Sequence, residues 1–406
     1  MPSYFYRQSS VYWLEVKRTK FLQRSLSDSR KSRGSLELIV EVEKKKLDKA
    51  AARIRSFATI THVFDFIPYI SFECGARDAE GIVKALTRGY SEIRSLFGRV
   101  EASAEFAIPE PRRVKVARAQ SEELWNLSNI GAYAARQHST GEGVKLAVID
   151  TGIEYFHPEV KRNFGSVKGY DFVEGSDDPV DRNGHGTHVA GICAGLNYGV
   201  AIDSTLYAVR VLDANGSGSE SDIIAGIEWC IKNGIHVANM SLGSPVASSA
   251  FEEICYVAAG KGLILVAAAG NDGGEFAMYP AAFGDPVVAV AAVDRYNRHA
   301  DFSNIFSTND VSGPGVDIPS SYIGGSYATF SGTSMASPHV AGAVALALPL
   351  IKNRDIYGLV DSTAEVIGSE RDVFGAGLVR ADGMVEKLLQ RNRLPAALKA
   401  IIGAVW

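Results

Sequence analysis

The feature that most limits how this chain can fold is a series of near-continuous apolar runs, separated by helix-like stretches. They are Val144-Lys145-Leu146-Ala147-Val148-Ile149, residues 204–212, Val237-Ala238-Asn239-Met240-Ser241-Leu242, residues 263–268 and residues 287–293. A strand with one wet face alternates apolar and polar residues. These runs do not alternate, so both of their faces must be covered, as in a parallel sheet with helices on either side. The predicted fold is therefore α/β, a doubly wound and mostly parallel sheet. In such sheets ligands gather beyond the carboxyl ends of the strands, which directs attention to the residues that follow each run.

The chain of 406 residues is too long for that sheet alone. Residues 36–106 have a different texture. A strand at 36–42, helical spacing from 47 to 57, two short apolar runs around Pro68, a second helix from 79 and a closing strand at 100–108 predict a smaller α+β, ferredoxin-like unit. Residues 1–35 are basic and serine-rich and are expected to be disordered. Residues 107–122, with two prolines and several basic residues, read as an exposed linker. The main sheet is assigned to 123–390, and 391–406 form an extension without an assigned role.

A net charge of −4 gives no reason to expect nucleic acid or an anionic membrane as partner. No run of about 18 apolar residues is present, and no signal-like apolar core follows the amino terminus. Location stays open between export from a differently assigned start and the cytoplasm. The cysteines Cys74, Cys193, Cys230 and Cys255 show neither a CxxC nor a metal-type spacing, and buried thiols are expected.

Three residues lie where the sheet predicts chemistry. Asp150 ends the first run and precedes Thr151-Gly152. His185 lies in Asn183-Gly184-His185-Gly186-Thr187-His188, and Ser334 in Gly332-Thr333-Ser334-Met335-Ala336-Ser337-Pro338-His339. Singly, each has a plainer role: a strand-ending turn, a core histidine, a helix cap. Together they supply what a serine nucleophile needs. A hydroxyl requires a base to take its proton, imidazole has a suitable pKa, and a carboxylate fixes the imidazole's tautomer and steadies the imidazolium.

These blocks resemble the three signature blocks of the subtilisin-like serine proteases, in the same order along the chain. The similarity runs from about residue 125 to 389. It implies a serine endopeptidase of broad specificity that works through an acyl-enzyme on polypeptide substrates. Asp150, His185 and Ser334 would be its triad. In Ala267-Ala268-Ala269-Gly270-Asn271 the resemblance makes Asn271 the oxyanion donor, together with the Ser334 N–H. It places the substrate cleft at Gly216, Ser217 and Gly218 on one side and at Ser241, Leu242 and Gly243 on the other. Ala269 and Gly270 would line the S1 pocket above Met278, whose size suits a medium apolar side chain. Glu220 stands where relatives often carry an aromatic residue at the S4 rim.

The segment around residues 285–310 resembles proteinase K, a branch of the same family. That likeness implies a structural calcium ion on the carbonyls of Pro286 and Val288 and the carboxylate of Asp310. The loop that forms the strong calcium site of bacterial subtilisins is missing, and Glu159 replaces its aspartate, so that site is not expected. Residues 36–106 match the size and position of the family's propeptide. This implies an autoprocessed zymogen whose own propeptide is its intramolecular inhibitor, with a maturation cut between about 107 and 122 and a monomeric product. Two rivals share the sequence: a peptide-binding pseudoenzyme, which a broken catalytic position would mark, and a dedicated processing protease, which accessory domains would mark.

Overall fold

The computed structural model describes residues 20–26, 35–88, 96–108, 112–114, 124–351 and 355–393. Its centre is a seven-stranded sheet with the order β14-β13-β12-β11-β7-β9-β8. The strands are β7 (Lys145–Asp150), β8 (Gly169–Asp171), β9 (Thr205–Arg210), β11 (Val237–Met240), β12 (Ile264–Ala268), β13 (Val287–Val293) and β14 (Val311–Pro314). Every pairing is parallel.

The reason the runs are continuously apolar is visible residue by residue. Leu146 and Val148 enter one core, while Ala147 and Ile149, pointing the other way, enter a second. β12 and β13 divide in the same manner, so each face of the sheet buries its own set of side chains. The edge strands β8 and β14 are short and were not marked by the apolar pattern.

Helices cover both faces. On one side lie α3 (His185–Ala194), α6 (Thr333–Ala347) and α7 (Ala381–Arg393), and on the other α4 (Glu220–Lys232) and α5 (Ser249–Gly260). By length and composition Thr333–Leu350 could cross a bilayer, but 83% of it is buried inside this protein, as a core helix. The chain leaves β7 for β9 and then crosses back to β11 on β7's other side. Asp150, the last residue of β7, thus stands at the point where the strand order reverses.

The N-terminal module contains β1 (Ser35–Val42), α1 (Leu47–Ile54), β2 (Thr59–Val63), β3 (Tyr69–Gly75), α2 (Ala79–Arg88) and β4 (Phe97–Ala102). Its antiparallel sheet has the order β2-β3-β1-β4, which is the ferredoxin-like arrangement. One face packs on its own helices through Leu38, Val40, Ile54, Ile70 and Phe72. The opposite face packs in large part on the main body. Ile39, Phe64, Ile67 and Tyr69 join the core that includes Ile223, Ile227 and Phe251 of α4 and α5.

Three local expectations differ from the structure. Residues 20–26, within the stretch expected to be disordered, are helical, and Phe21, Leu22 and Leu26 pack on the module; the rest of 1–34 lies outside the described residues. The closing strand predicted at 100–108 is split. β4 stays in the module, but β5 (Glu105–Ala107) pairs with β10 (Ser217–Ser219) of the main body. Within the expected linker, β6 (Arg112–Val114) pairs antiparallel with β16 (Ser326–Ser331), which also pairs with β15 (Ile318–Tyr322). Most of the rest of that linker, and residues 394–406, lie outside the described residues. All four cysteines are buried and free.

Candidate active site

Asp150 and His185 form a fully buried pair. Nδ1 of His185 lies 2.8 Å from Oδ1 and 3.0 Å from Oδ2 of Asp150. An ionised carboxylate only accepts, so Nδ1 carries the proton and Nε2 presents its lone pair. Nε2 is buried and has no partner among the described residues. The helix that starts at His185 comes so close to β7 that a Cβ on Gly186 would sit 2.1 Å from the carbonyl oxygen of Gly152. Only glycine permits that approach.

A residue that sequence reasoning missed holds this pair in place. Asp181, nearly buried, accepts the Thr151 hydroxyl at 2.8 Å and the N–H groups of Asn183, Gly184 and Thr187 at 2.9 Å each. It also accepts the Thr187 hydroxyl at 2.7 Å. Thr151 in turn accepts the Gly186 N–H at 3.0 Å, and its own N–H donates to Asp150 Oδ1 at 2.7 Å. One carboxylate thereby ties the end of Asp150's strand to the first turn of His185's helix. Burial raises its pKa, and the N–H and hydroxyl donors oppose the rise. The cluster Asp181-Arg182-Asn183-Gly184 before His185 was a usable signal, since Asp preceding a helix start is a capping pattern.

Ser334 is the second residue of α6, where backbone N–H groups have no partner within the helix. Its hydroxyl donates to the Ser241 carbonyl at 3.3 Å, and among the described residues no hydrogen bond joins it to His185. Pro338, four residues on, has no N–H with which to close the helix bond to the Ser334 carbonyl. The Ser241 hydroxyl, which lies in hydrogen-bonding range of Ser337 Oγ at 3.0 Å, supplies a substitute at 2.9 Å. The proline inside α6 and the serine after β11 therefore act together on the backbone of Ser334.

Asn271 follows β12 across the site. Its Oδ1 accepts the Thr333 N–H at 2.9 Å and the Thr333 hydroxyl at 2.8 Å, which fixes the amide's orientation. Its Nδ2 is buried and, among the described residues, without a partner, next to Gly332. A buried free donor beside a serine at a helix start is a suitable receiver for a developing negative charge. His188 and His339, by contrast, are core histidines. Burial lowers the first to about 3 and the second to about 4. His339 lies 2.7 Å from the Met335 carbonyl and 2.7 Å from Asn126 Nδ2.

The expected cleft residues face one another and already hold a strand of this chain. Phe106 and Ala107 pair with Gly218 and Ser217, and the Ile108 N–H donates to the Gly216 carbonyl at 3.0 Å. On the far side Ala107 bridges to Gly243. Gly216 has φ +79°, and a Cβ there would meet the Ile108 side chain at 2.6 Å. The Phe106 ring is fully buried edge-on to Phe251, with centroids 5.2 Å apart. Met278 lies against both Gly243 and Gly270, beyond buried Leu242 and Ala269. Glu220 is not on an open rim: it is completely buried under the N-terminal module.

At the expected metal position, Asp310 Oδ2 accepts the N–H of Ala289, the residue after Val288, at 2.8 Å. Burial raises the Asp310 carboxyl to about 7, with Asp285 adding to the effect and Arg371 opposing it. A half-hidden carboxylate beside a second one suits a hard cation, and the donor set of carbonyls and carboxylate suits calcium. Glu159, at the place of the missing loop, is surrounded by donors instead. It accepts the Tyr198 N–H at 3.0 Å and Asn197 Nδ2 at 3.1 Å, as well as the Asn197 N–H. Among the described residues, no group of three or more His, Cys, Asp or Glu side chains could hold a metal ion.

Comparison with known proteins gives the same direction. A family model described as the subtilase family matches residues 141–385. An alkaline protease of Alkalihalobacillus alcalophilus is 40% identical over 332 residues, covering 80% of each chain. Subtilisin Savinase of Lederbergia lenta is 45% identical over 267 residues, covering 64% of this chain and 97% of its own. A thermostable alkaline protease of Halalkalibacterium halodurans is 36% identical over 354 residues, covering 85% of this chain and 91% of its own. That last match is too long for residues 124–393 alone and takes in part of the N-terminal module.

Proposed function

This chain belongs to the subtilase family of serine proteases, and we propose that it is made as a zymogen whose N-terminal module blocks the cleft until the enzyme cuts its own chain. The observation that carries the proposal is the strand Glu105–Ala107, which enters the cleft and is paired on one edge by β10 and on the other by Gly243. Extended polypeptides are bound in this way, by strand addition.

In this reading the Ser334 hydroxyl turns from the Ser241 carbonyl toward His185 Nε2, gives up its proton and attacks the scissile carbonyl carbon. Asp150 keeps His185 in the right tautomer and balances the imidazolium. Asn271 Nδ2 and the Ser334 N–H receive the oxyanion. His185 then passes its proton to the departing amine, and water repeats the sequence on the acyl-enzyme, restoring Ser334. The cleft reads mainly backbone, which supports broad specificity, with apolar preferences where Phe106 lies and beside Met278. A calcium ion on Pro286, Val288 and Asp310 would supply stability and no chemistry.

Incubation of the purified full chain with mass spectrometry of the amino terminus tests the proposal. The wild type should shorten within residues 107–122, and Ser334→Ala should stay intact. Shortening of the Ser334→Ala chain at the same bond, in the absence of other protease, would overturn it.

A further inference from the structure

The strand that occupies the cleft also marks how far the cleft reaches. Ala107, Phe106 and Glu105 stand opposite Ser217, Gly218 and Ser219. The same register brings Ala104 opposite Glu220, and there the Glu220 N–H donates to the Ala104 carbonyl at 3.0 Å. In an antiparallel ladder such a pair exchanges two bonds, so the Ala104 N–H would ordinarily return to the Glu220 carbonyl. Here it does not. Glu220 is the first residue of α4, and its carbonyl is turned along that helix.

The side chain takes the carbonyl's place. Oε2 of Glu220 accepts the Ala104 N–H at 3.1 Å, while Oε1 accepts the Ser248 N–H at 2.6 Å. The Ser248 hydroxyl bonds to the same carboxylate. Ser248 is the N-cap of α5 and belongs to the catalytic body. One oxygen is therefore tied down within the enzyme, and this aims the other at whatever strand lies beside β10. The last rung of the ladder is built by a carboxylate that stays behind when the strand leaves.

We propose that Glu220 is a substrate-binding residue of the freed enzyme, whose Oε2 accepts a backbone N–H two residues before the one that fills Phe106's place. The inference rests on the zymogen reading for the step that frees the cleft. The ligand it selects is an extended polypeptide that continues at least to Ala104's place and carries an N–H there. Proline at that place is disfavoured, because it has no N–H to give. The contact reads main chain and not side chain. It extends the grip on long chains without narrowing the side chains accepted.

The electrostatics of the open cleft suit an acceptor. Under the module, burial pushes the Glu220 carboxyl up, with Glu101 adding, against the N–H groups of Ser248 and Ala104. Glu101 lies in β4 and departs with the module, as does the cover from Ala104. The first turn of α4 and the Ser248 N-cap of α5 remain, and both helix starts favour negative charge. The carboxylate then meets a substrate in its ionised form, which holds an N–H more strongly than a neutral acceptor does.

Three acetylated fluorogenic peptides test this, each with the sequence of residues 104–108 followed by leucine on an aminocoumarin amide. One is all amide. In the second an ester oxygen replaces the N–H at Ala104's place. In the third it replaces the N–H at Glu105's place, which by alternation points away from β10. With self-processed wild type, the first ester should lower kcat/KM about tenfold, as expected for a lost bond to a charged group. The second ester should lower it far less. In Glu220→Ala the two esters should behave alike. Equal losses from both esters in the wild type, or the same loss from the first ester in wild type and Glu220→Ala, would overturn the proposal. If Glu220→Ala does not fold, the contrast between the two esters in the wild type decides. The mass of the chain, measured on the same sample, separates this from the zymogen reading. A shortened chain without the contrast removes the role of Glu220 alone. Full hydrolysis by an uncut chain that shows the contrast removes the inhibitory module and keeps Glu220. No hydrolysis of any of the three removes both.

Discussion

Ala107 and Gly243 exchange both of their backbone hydrogen bonds, the Ala107 N–H reaching the Gly243 carbonyl at 3.2 Å and the Gly243 N–H returning to Ala107 at 3.0 Å. Gly243 lies two residues beyond Ser241, which follows β11, and Ser241 holds the backbone of Ser334. In the proposed zymogen, occupation of this edge by residue 107 excludes any other polypeptide from the approach to Ser334. Ala107→Pro removes one of the two donors and, at about 1 kcal/mol or somewhat more per lost bond, should open the cleft roughly tenfold more often. The rate at which a fluorophosphonate labels Ser334 in uncut chain should rise by that factor; an unchanged rate would mean that the strand does not govern access.

The free Nδ2 of Asn271 gives a sharper test of transition-state stabilisation. Asn271→Ala should lower kcat by about 10²–10³-fold with little change in KM, a magnitude taken over from subtilisin itself. A loss that appears mainly in KM would show that the amide binds the ground state.

Asp181 acts through Thr151 and the helix start at His185, so its removal should disturb geometry more than binding. Asp181→Ala leaves buried donors unpaired, at about 1–3 kcal/mol each for those that water cannot reach. We expect kcat to drop about 10- to 100-fold, a lower Tm, and a pH–rate profile displaced from that of the wild type. Asp181→Asn, which keeps an acceptor oxygen, should recover part of kcat. If both variants lose only Tm, the residue is structural alone.

Asp310, the carboxylate of the proposed calcium site, should tie stability to pH. Its carboxyl is raised in the folded protein from 3.8 to about 7. Its contribution is therefore complete below pH 3.8 and is lost as pH rises through about 7. In a chelator, the Tm difference between wild type and Asp310→Asn should turn against the wild type across that window, and added calcium should reverse it only in the wild type. Equal calcium responses in the two proteins would place the ion elsewhere.

The sheet and the gathering of Asp150, His185, Ser334 and Asn271 at its strand ends were legible in the sequence for a common reason. A strand covered on both faces must be apolar throughout, and Asp150, His185, Ser334 and Asn271 each sit at the end of such a strand or the start of the next helix. Their positions are set by local structure, within a few residues of the pattern that reveals them. The cysteines were legible too, because buried thiols follow from apolar surroundings.

What only the tertiary structure decided involves partners distant in sequence. β5 is as well suited to the module's own sheet as to the cleft. Its destination depends on the open edges of β10 and Gly243, which no local pattern near residue 105 contains. Asp181 looks like a helix cap until Thr151 is seen beneath it. Glu220 looks like a surface charge at a helix start, and the module that covers it lies more than a hundred residues upstream. Sequence by itself determined which strand ends and helix starts carry Asp150, His185, Ser334 and Asn271. Burial against a remote surface, which fixes solvation and therefore charge, decided what holds them and what keeps them shut.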